Sequence, residues 1–461
     1  VSDLRRLRRT DPSPPVRMVH LGLGNFFRAH QAWYTHRANR GLPPEEQWGI
    51  AAFSGRSTAV AEQLKEQDGL YTLLVDGPQG PEAEVVESLV AAYPGTDLAS
   101  WHRHLADPAV AVLTLTVTEA GYRVGADGEL DLEDDQVAED LEAWREGRTD
   151  ALATAPVRIA SGMAARRGAG AGGLSVVPCD NLPGNGATAR RAVLGAARVV
   201  DPDLANWVEA QVSFVSTAVD RITPRTGEGD AERAAELTGA EDPAVVVTEP
   251  FAEWDLAGDF VAGRPAWDEV GAEVVEDVVP YERRKLRLLN GAHSILAYAG
   301  GIRGHETVAE AIADPEVAAW VEQWWELAIP TLTLPRETLD DYVGALRERF
   351  ANPAIRHRLE QVAADGMQKI PVRFVPVLQE VASSGTDVDG ALRPVAAWVL
   401  HARGQGVPLT DAAAGRVREL VSGDLPEAME RVLRHWDLDP GLTTRALALA
   451  DEVAVASPQE G

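Results

Sequence analysis

The passage from Val16-Arg-Met-Val-His-Leu21 into Gly22-Leu-Gly24-Asn25-Phe26-Phe-Arg28-Ala-His30 constrains this chain most. The first six residues suit a buried strand, the two glycines stop it, and helix-compatible residues follow without proline. A strand that turns on glycine into a helix opens a βαβ unit, which commits the chain to a sheet covered by helices. The turn also has a chemistry. Gly22 permits the reversal and Gly24 lets phosphates approach the backbone, while the helix start at Asn25 and Phe26 offers N–H donors and positive dipole. Arg28 adds a cation. This is the pyrophosphate site of a dinucleotide fold, although Phe27 replaces its usual third glycine, so the motif alone also admits a plain strand-to-helix turn.

Further apolar runs at Trp48–Phe53, Val110–Val117, Leu174–Cys179 and Val212–Ser216 have the length of buried strands. Helical patterns such as Thr58–Glu66 and Thr188–Val200 fall between them. The alternation predicts an α/β, Rossmann-like doubly wound N-terminal domain. After Pro280 the period changes. Tyr281–Tyr298, Thr307–Ala328, Glu337–Phe350, Ala354–Ala364 and Leu392–Arg403 carry apolar residues at helical spacing, predicting a mostly α-helical C-terminal domain. A length of 461 residues exceeds what one core supports, and the expected domains are 1–279 and 280–461. Trp320 and Trp324, at i and i+4, are read as packing residues.

Composition removes several classes. A formal charge of −28 repels phosphate backbones, so nucleic acid is not an expected partner. Neither is a membrane, because no apolar run reaches spanning length. Val1–Pro15 holds four arginines but lacks an apolar signal core, and is read as a cytoplasmic start. The single cysteine, Cys179, leaves no intrachain disulfide and no cysteine-clustered zinc, so no metal is expected. Of 43 basic residues only Lys65, Lys285 and Lys369 are lysine. Rarity makes a surviving lysine a candidate for what guanidinium cannot do, which is to lose a proton near neutral pH, while Lys65, in the exposed-looking stretch Ala61–Gln67, is read as chance survival.

The second strand of such a fold normally ends in a carboxylate that binds the adenosine ribose and favours NAD. Here it ends Phe53-Ser54-Gly-Arg56-Ser57-Thr58, whose hydroxyls and cation suit a 2′-phosphate, so the cofactor is expected to be NAD or NADP. Arg56 stacking on adenine would serve either.

Pro280-Tyr281-Glu282-Arg-Arg-Lys285 continues to Asn290 and His293 as a helix beginning after Pro280. Lys285 then lies near the positive end, beside Arg284 and Arg287, where dipole, charge and partial burial all favour the neutral amine of a general base. On a regular helix of about 3.6 residues per turn, His293 is about 80° from Lys285 and Asn290 about 60° from His293, so the three border one cleft. Asn181, Glu119 and Asp220 follow predicted strands, at the carboxyl ends where ligands of doubly wound sheets bind. Asn181 and Asn290 are candidate donors to the oxygen that gains charge during hydride transfer. Caps and domain contacts are the competing readings for each.

At this point the sequence resembles the mannitol dehydrogenase family of long-chain polyol dehydrogenases, which includes mannitol 2-dehydrogenase and fructuronate reductase. The stretches that carry it are Gly22–Gln31, Gln67–Thr72, Thr116–Tyr122, Cys179–Gly186, Val219–Pro224, Glu249–Phe251 and the Lys285 segment. The resemblance implies an NAD(P)-dependent oxidoreductase acting on a polyol, ketose or sugar acid, as a monomer or small homo-oligomer. It implies Lys285 as general base, Asn181 and Asn290 as oxyanion donors, His293 and Lys369 as substrate contacts, and Glu282 in proton movement or pairing with Lys285. Departures are Gln361, where the polyol enzymes have arginine, and the absence of acids at 58 and 59, where some NAD-using members carry them.

Two alternatives remain beside it. Tyr281-x-x-x-Lys285 also spells the tyrosinate pair of short-chain dehydrogenases, and a non-catalytic Rossmann-type sensor would use the same glycine turn. His102-x-His104 diverges on a helix and is not read as a metal pair.

Overall fold

The computed structural model describes residues 4–55 and 57–454. The chain divides into two compact units, Val1–Val279 and Pro280–Gly461.

Six strands form the central sheet of the first unit: Val16–Leu21 (β1), Gly49–Phe53 (β2), Leu89–Tyr93 (β3), Val112–Leu115 (β4), Ser175–Pro178 (β5) and Ser213–Phe214 (β6). Their order is β3-β2-β1-β4-β5-β6 and every pairing is parallel. Two apolar clusters cover the two faces. One gathers Trp101, Leu113, Val157, Met163 and Val193; the other gathers Met18, Phe27, Ile50, Tyr71 and Trp254. This is the doubly wound arrangement, in which ligands meet the carboxyl ends where the strand order reverses, here between β1 and β4.

The strand readings need three corrections. Leu89–Tyr93, a short alanine-containing strand, completes the sheet and escaped the apolar pattern. So did Tyr71–Gly77 and Gly80–Val86, a hairpin in a separate small sheet with Val246–Thr248. Val212–Ser216 is not one strand: after Ser213–Phe214 the chain leaves the parallel sheet, and Ser216–Asp220 (β7) pairs antiparallel with Glu253–Ala257 (β8).

The second unit is helical. Val279–Gly300 winds continuously, but as α-helix over Val279–Arg284, π-helix over Lys285–Asn290, α-helix over Gly291–Ile295 and π-helix over Leu296–Gly300. The physical reason for the first widening sits on the helix Pro315–Ala328. Trp324 Nε1 donates to Arg287 O at 2.7 Å and Trp325 Nε1 to Leu288 O at 2.9 Å, side-chain donors set into the backbone ladder. Trp320 and Trp324 are buried, as read. Thr307–Ala328, expected as one helix, breaks at Asp314, whose carboxylate caps Glu316 and Val317 N–H ahead of Pro315. Ala354–Ala364 shortens to Leu359–Ala363.

Gly291 is what lets the indole approach, since a Cβ there would overlap the Trp324 ring. Gly291→Ala is expected to cost about 1–3 kcal/mol through overpacking. Chemical denaturation reads it as a lower midpoint, and an unchanged midpoint would mean that Trp324 does not set the winding.

Candidate functional site

The glycine turn is built from three strands. Gly22 takes φ of 110°, and its N–H and that of Leu23 donate to Phe53 O at 2.9 and 3.1 Å. A Cβ on Gly22 would overlap the Thr116 backbone, whereas one on Gly24 meets only Gly22 O at 3.7 Å. Glycine is thus required at 22 by packing, and the Gly24 backbone has an uncrowded side for a phosphate to approach. Beneath the turn His20 is fully buried, and burial drives its pKa down to about 3. Neutral His20 donates from Nε2 to Gly22 O at 3.0 Å and accepts at Nδ1 from Thr114 Oγ1 at 2.8 Å. Phe27 stacks on its ring at 3.5 Å, which explains why no third glycine is needed. The helix after the turn is only Asn25–Ala29 before a bend at His30, so position 27 packs on a ring rather than along a sheet.

Arg28 is a correction. It is buried, its guanidinium donates to Ala244 O and to Asn25 Oδ1, and it lies over the Tyr71 ring at 5.5 Å. Burial lowers its pKa to about 10, so it stays charged, but it braces the turn from within and is not presented to a phosphate. Asn25 spends its side chain on Arg28 and leaves its backbone to the helix start; Phe26 stacks on His30 at 5.0 Å. Ser54 is a second correction, because it is buried and its Oγ accepts from Gly95 N at 3.0 Å instead of facing a ribose phosphate. Ser57 and Thr58 are exposed. Arg56 lies outside the described residues. The carboxyl ends of β1 and β4, with Gly55 after β2, wall a cavity of about 650 Å³.

Asn181 is exposed just beyond β5, and Glu119 is exposed in the 3₁₀ turn Glu119–Tyr122 after β4. Asp220 does not follow a parallel strand as expected. It is the buried last residue of antiparallel β7. The neighbour that sequence reasoning passed over is Asp180, quoted in the Cys179–Gly186 motif but given no role. Its carboxylate accepts from Tyr122 OH and from Leu182 N at 2.9 Å, and burial raises its pKa to about 6 against these bonds. Asn185 fixes the far side of the same loop, donating to Thr217 O at 3.1 Å and accepting from Thr217 N at 3.0 Å.

In the second unit Lys285 and Asn290 bound the first π segment, and His293 lies three residues further. The regular-helix angles therefore do not apply between Lys285 and His293, because i→i+5 bonding winds the chain more loosely. The dipole argument shifts too. The helix starts at Val279, so Glu282 is the residue of the first turn and Lys285 lies beyond it. Arg284 stacks on Tyr281 at 5.1 Å and Tyr342 at 4.3 Å, while Arg287 donates to Thr331 O at 2.9 Å. Lys285 and Asn290 are half-buried and His293 is buried.

A second helix, Gly366–Arg373, supports this segment. Arg373 donates to Asn290 O at 2.9 Å and Ser294 Oγ at 2.8 Å. Lys369, on the same helix, donates to Val362 O at 3.2 Å. Its charge helps burial and Arg349 hold His357 near a pKa of 4, and the His357 ring stands edge-on to His293 at 5.1 Å. The structure thus links Lys369 to His293 through His357, a residue with no sequence signal of its own.

Residues 16–269 match the mannitol dehydrogenase Rossmann domain, and residues 277–444 match the mannitol dehydrogenase C-terminal domain. The chain belongs to the mannitol dehydrogenase family. The D-mannonate oxidoreductase of Escherichia coli strain K12 is 40% identical over 398 residues, covering 84% of this chain and 80% of that protein. A substrate-free D-sorbitol dehydrogenase structure aligns with a TM-score of 0.86 at 30% identity, over 98% of this chain and 96% of that one. Pseudomonas fluorescens mannitol 2-dehydrogenase, in a ternary complex with NAD and D-mannitol, aligns with a TM-score of 0.81 at 32% identity, over 98% and 94%. Membership makes the chain an oxidoreductase of dehydrogenase type rather than a non-catalytic sensor. The loop after β5 that carries Asn181 is the one that Asp180 and Asn185 hold.

Asp180 gives this loop a pH dependence. A carboxyl whose folded pKa is raised contributes stability that is full below the unfolded value of 3.8 and is lost as pH rises through about 6. Asp180→Asn should therefore gain stability relative to wild type between pH 4 and 7.5, by up to roughly 3 kcal/mol. Melting temperatures across that range test it, and a variant-minus-wild-type difference independent of pH would contradict the assignment.

Proposed function

We propose that the chain is an NAD(P)-dependent oxidoreductase that interconverts a polyol or aldonate secondary alcohol and its ketose or keto-uronate, of mannitol/fructose or mannonate/fructuronate type. The observation that carries this reading is the family match along both units, with a mannonate oxidoreductase, a sorbitol dehydrogenase and a mannitol dehydrogenase among the relatives. The nicotinamide cofactor, NAD or NADP, supplies the hydride acceptor or donor. The open side of Gly24 and the cavity at the ends of β1, β2 and β4 fit its adenosine and phosphates.

Lys285, as the neutral amine, takes the proton from the carbinol oxygen during oxidation and returns it during reduction. The carboxamides of Asn181 and Asn290 donate to that oxygen as it gains charge. His293, Lys369 and Asp220 hold the substrate's remaining polar groups, and Glu282 moves protons or pairs with Lys285. Gly22, Gly24 and the helix start at Asn25 and Phe26 receive the cofactor, with Glu119 in the 3₁₀ turn after β4. The setting is cytoplasmic and the protein a monomer or small homo-oligomer. No helix among the described residues is long and apolar enough to cross a membrane.

The test is a matrix of NADH or NADPH against fructose, fructuronate and tagaturonate, followed by absorbance. Turnover is expected with at least one ketone, and with discrimination between the cofactors below about tenfold. Loss of neither cofactor's absorbance with any of them would refute the reading. Asn290→Ala and Asn181→Ala should each lower kcat on the order of 10²–10³-fold. A loss confined to KM would place them in substrate binding instead.

Among the described residues no three His, Cys, Asp or Glu side chains could share a metal ion. Activity should survive prolonged dialysis against EDTA, and its restoration by zinc after a loss would overturn that expectation.

A further inference from the structure

The cavity at the ends of β1, β2 and β4 has a cation on its wall that no motif announces. Arg158 lies in the first turn of the helix Ala155–Ala169 and lines the cavity with Gly22, Gly55 and Thr116. It is 5% exposed and its guanidinium lies over the Trp101 ring at 5.3 Å. Among the described residues neither Nε nor Nη2 meets a hydrogen-bond acceptor. Burial lowers its pKa to about 10, which still leaves it charged at neutral pH. Asp140, the acid whose field opposes that shift, is committed elsewhere. Its carboxylate accepts from Ala153 N at 3.0 Å and from Thr154 N and Thr154 Oγ1 at 2.6 and 2.5 Å.

The start of the same helix adds to the field. Thr154 and Ala155 line the cavity, and the Thr154 side chain does not cap the helix because its hydroxyl is given to Asp140. The first-turn amides and the positive end of a 15-residue helix therefore stand beside an uncompensated guanidinium. Other charges on the wall do not compete. Arg123 is bonded to Asp134 and Gln136, and Asp150 is exposed on the rim. A buried guanidinium without a carboxylate partner is matched by an oxyanion, for which its planar donors are shaped.

We propose that Arg158 binds a phosphate of the adenine dinucleotide. The phosphate is the 5′-pyrophosphate or a 2′-phosphate on the adenosine ribose, which present the same chemistry. The inference rests on the nucleotide-binding reading above and gives the cavity a phosphate-binding cation that the internally bonded Arg28 does not supply.

Calorimetric titration of the full chain with adenosine, ADP and 2′,5′-ADP tests it. Wild type should bind at least one phosphorylated ligand more tightly than adenosine. In Arg158→Gln that ligand should weaken tenfold or more, while adenosine stays within twofold. Loss falling mainly on ADP places Arg158 on the pyrophosphate; loss falling mainly on 2′,5′-ADP places it on the ribose phosphate. Equal loss for all three, or loss for none, overturns the proposal while leaving the nucleotide site standing. Wild type that binds none of the three overturns both. Should Arg158→Gln fail to fold, Arg158→Lys keeps the charge without the planar fork. It should weaken the phosphorylated ligand at least threefold with adenosine unchanged, and unchanged affinity for every ligand overturns the assignment.

Discussion

In the first unit the candidate site depends on the chain passing between the ends of three strands where no side chain fits. Gly22 is bonded through its N–H to Phe53 O on one neighbouring strand, and its α-carbon is closed in by Thr116 at the end of the other. That contact sets where β1 stops and turns Gly24 and the following amides outward. His20 and Phe27, stacked flat beneath it, hold the turn from the protein side. A buried histidine kept neutral is suited to this, since it satisfies a backbone carbonyl without placing an unpaired charge in the core.

The polar residues around the turn divide by what they spend their hydrogen bonds on. Arg28, Ser54 and Asn25 look available in sequence, but their side chains are consumed by Ala244, Gly95 and one another. Arg158 has no such signature, and among the described residues its charge is left without an ion-pair partner at the cavity. In the second unit the same division holds. Arg284 and Arg287 are taken up by tyrosine rings and a backbone carbonyl, while Arg373 anchors Asn290 through its carbonyl. Lys285 sits in a turn widened by two indole donors that arrive from 37 residues away.

What was legible in the sequence was local. Val16–Leu21 was bounded by its glycines to the residue, and the Lys285 helix by Pro280 to within two. Asn181, Asn290 and His293 were singled out as candidates because they lie in compact motifs. What escaped depends on distant partners. The π winding requires Trp324 and Trp325, and the split of Val212–Ser216 requires a second sheet to receive β7. Arg28 was misread because the carbonyl that takes its charge, Ala244 O, lies 216 residues along the chain. Asp314-Pro315 was the exception, a local stop signal that the apolar period overrode.

The central claim is that Lys285 holds the proton during hydride transfer, and its most direct measurement is rescue by added base. Lys285→Ala and Tyr281→Phe are compared for nicotinamide turnover, for nucleotide binding, and for response to added primary amines. The account predicts that Lys285→Ala keeps its nucleotide affinity, loses roughly 10²–10⁴-fold or more in kcat, and recovers part of it with methylamine, while Tyr281→Phe stays near wild type. Turnover in Lys285→Ala within a few-fold of wild type, or its abolition in Tyr281→Phe with the cofactor still bound, would contradict the account.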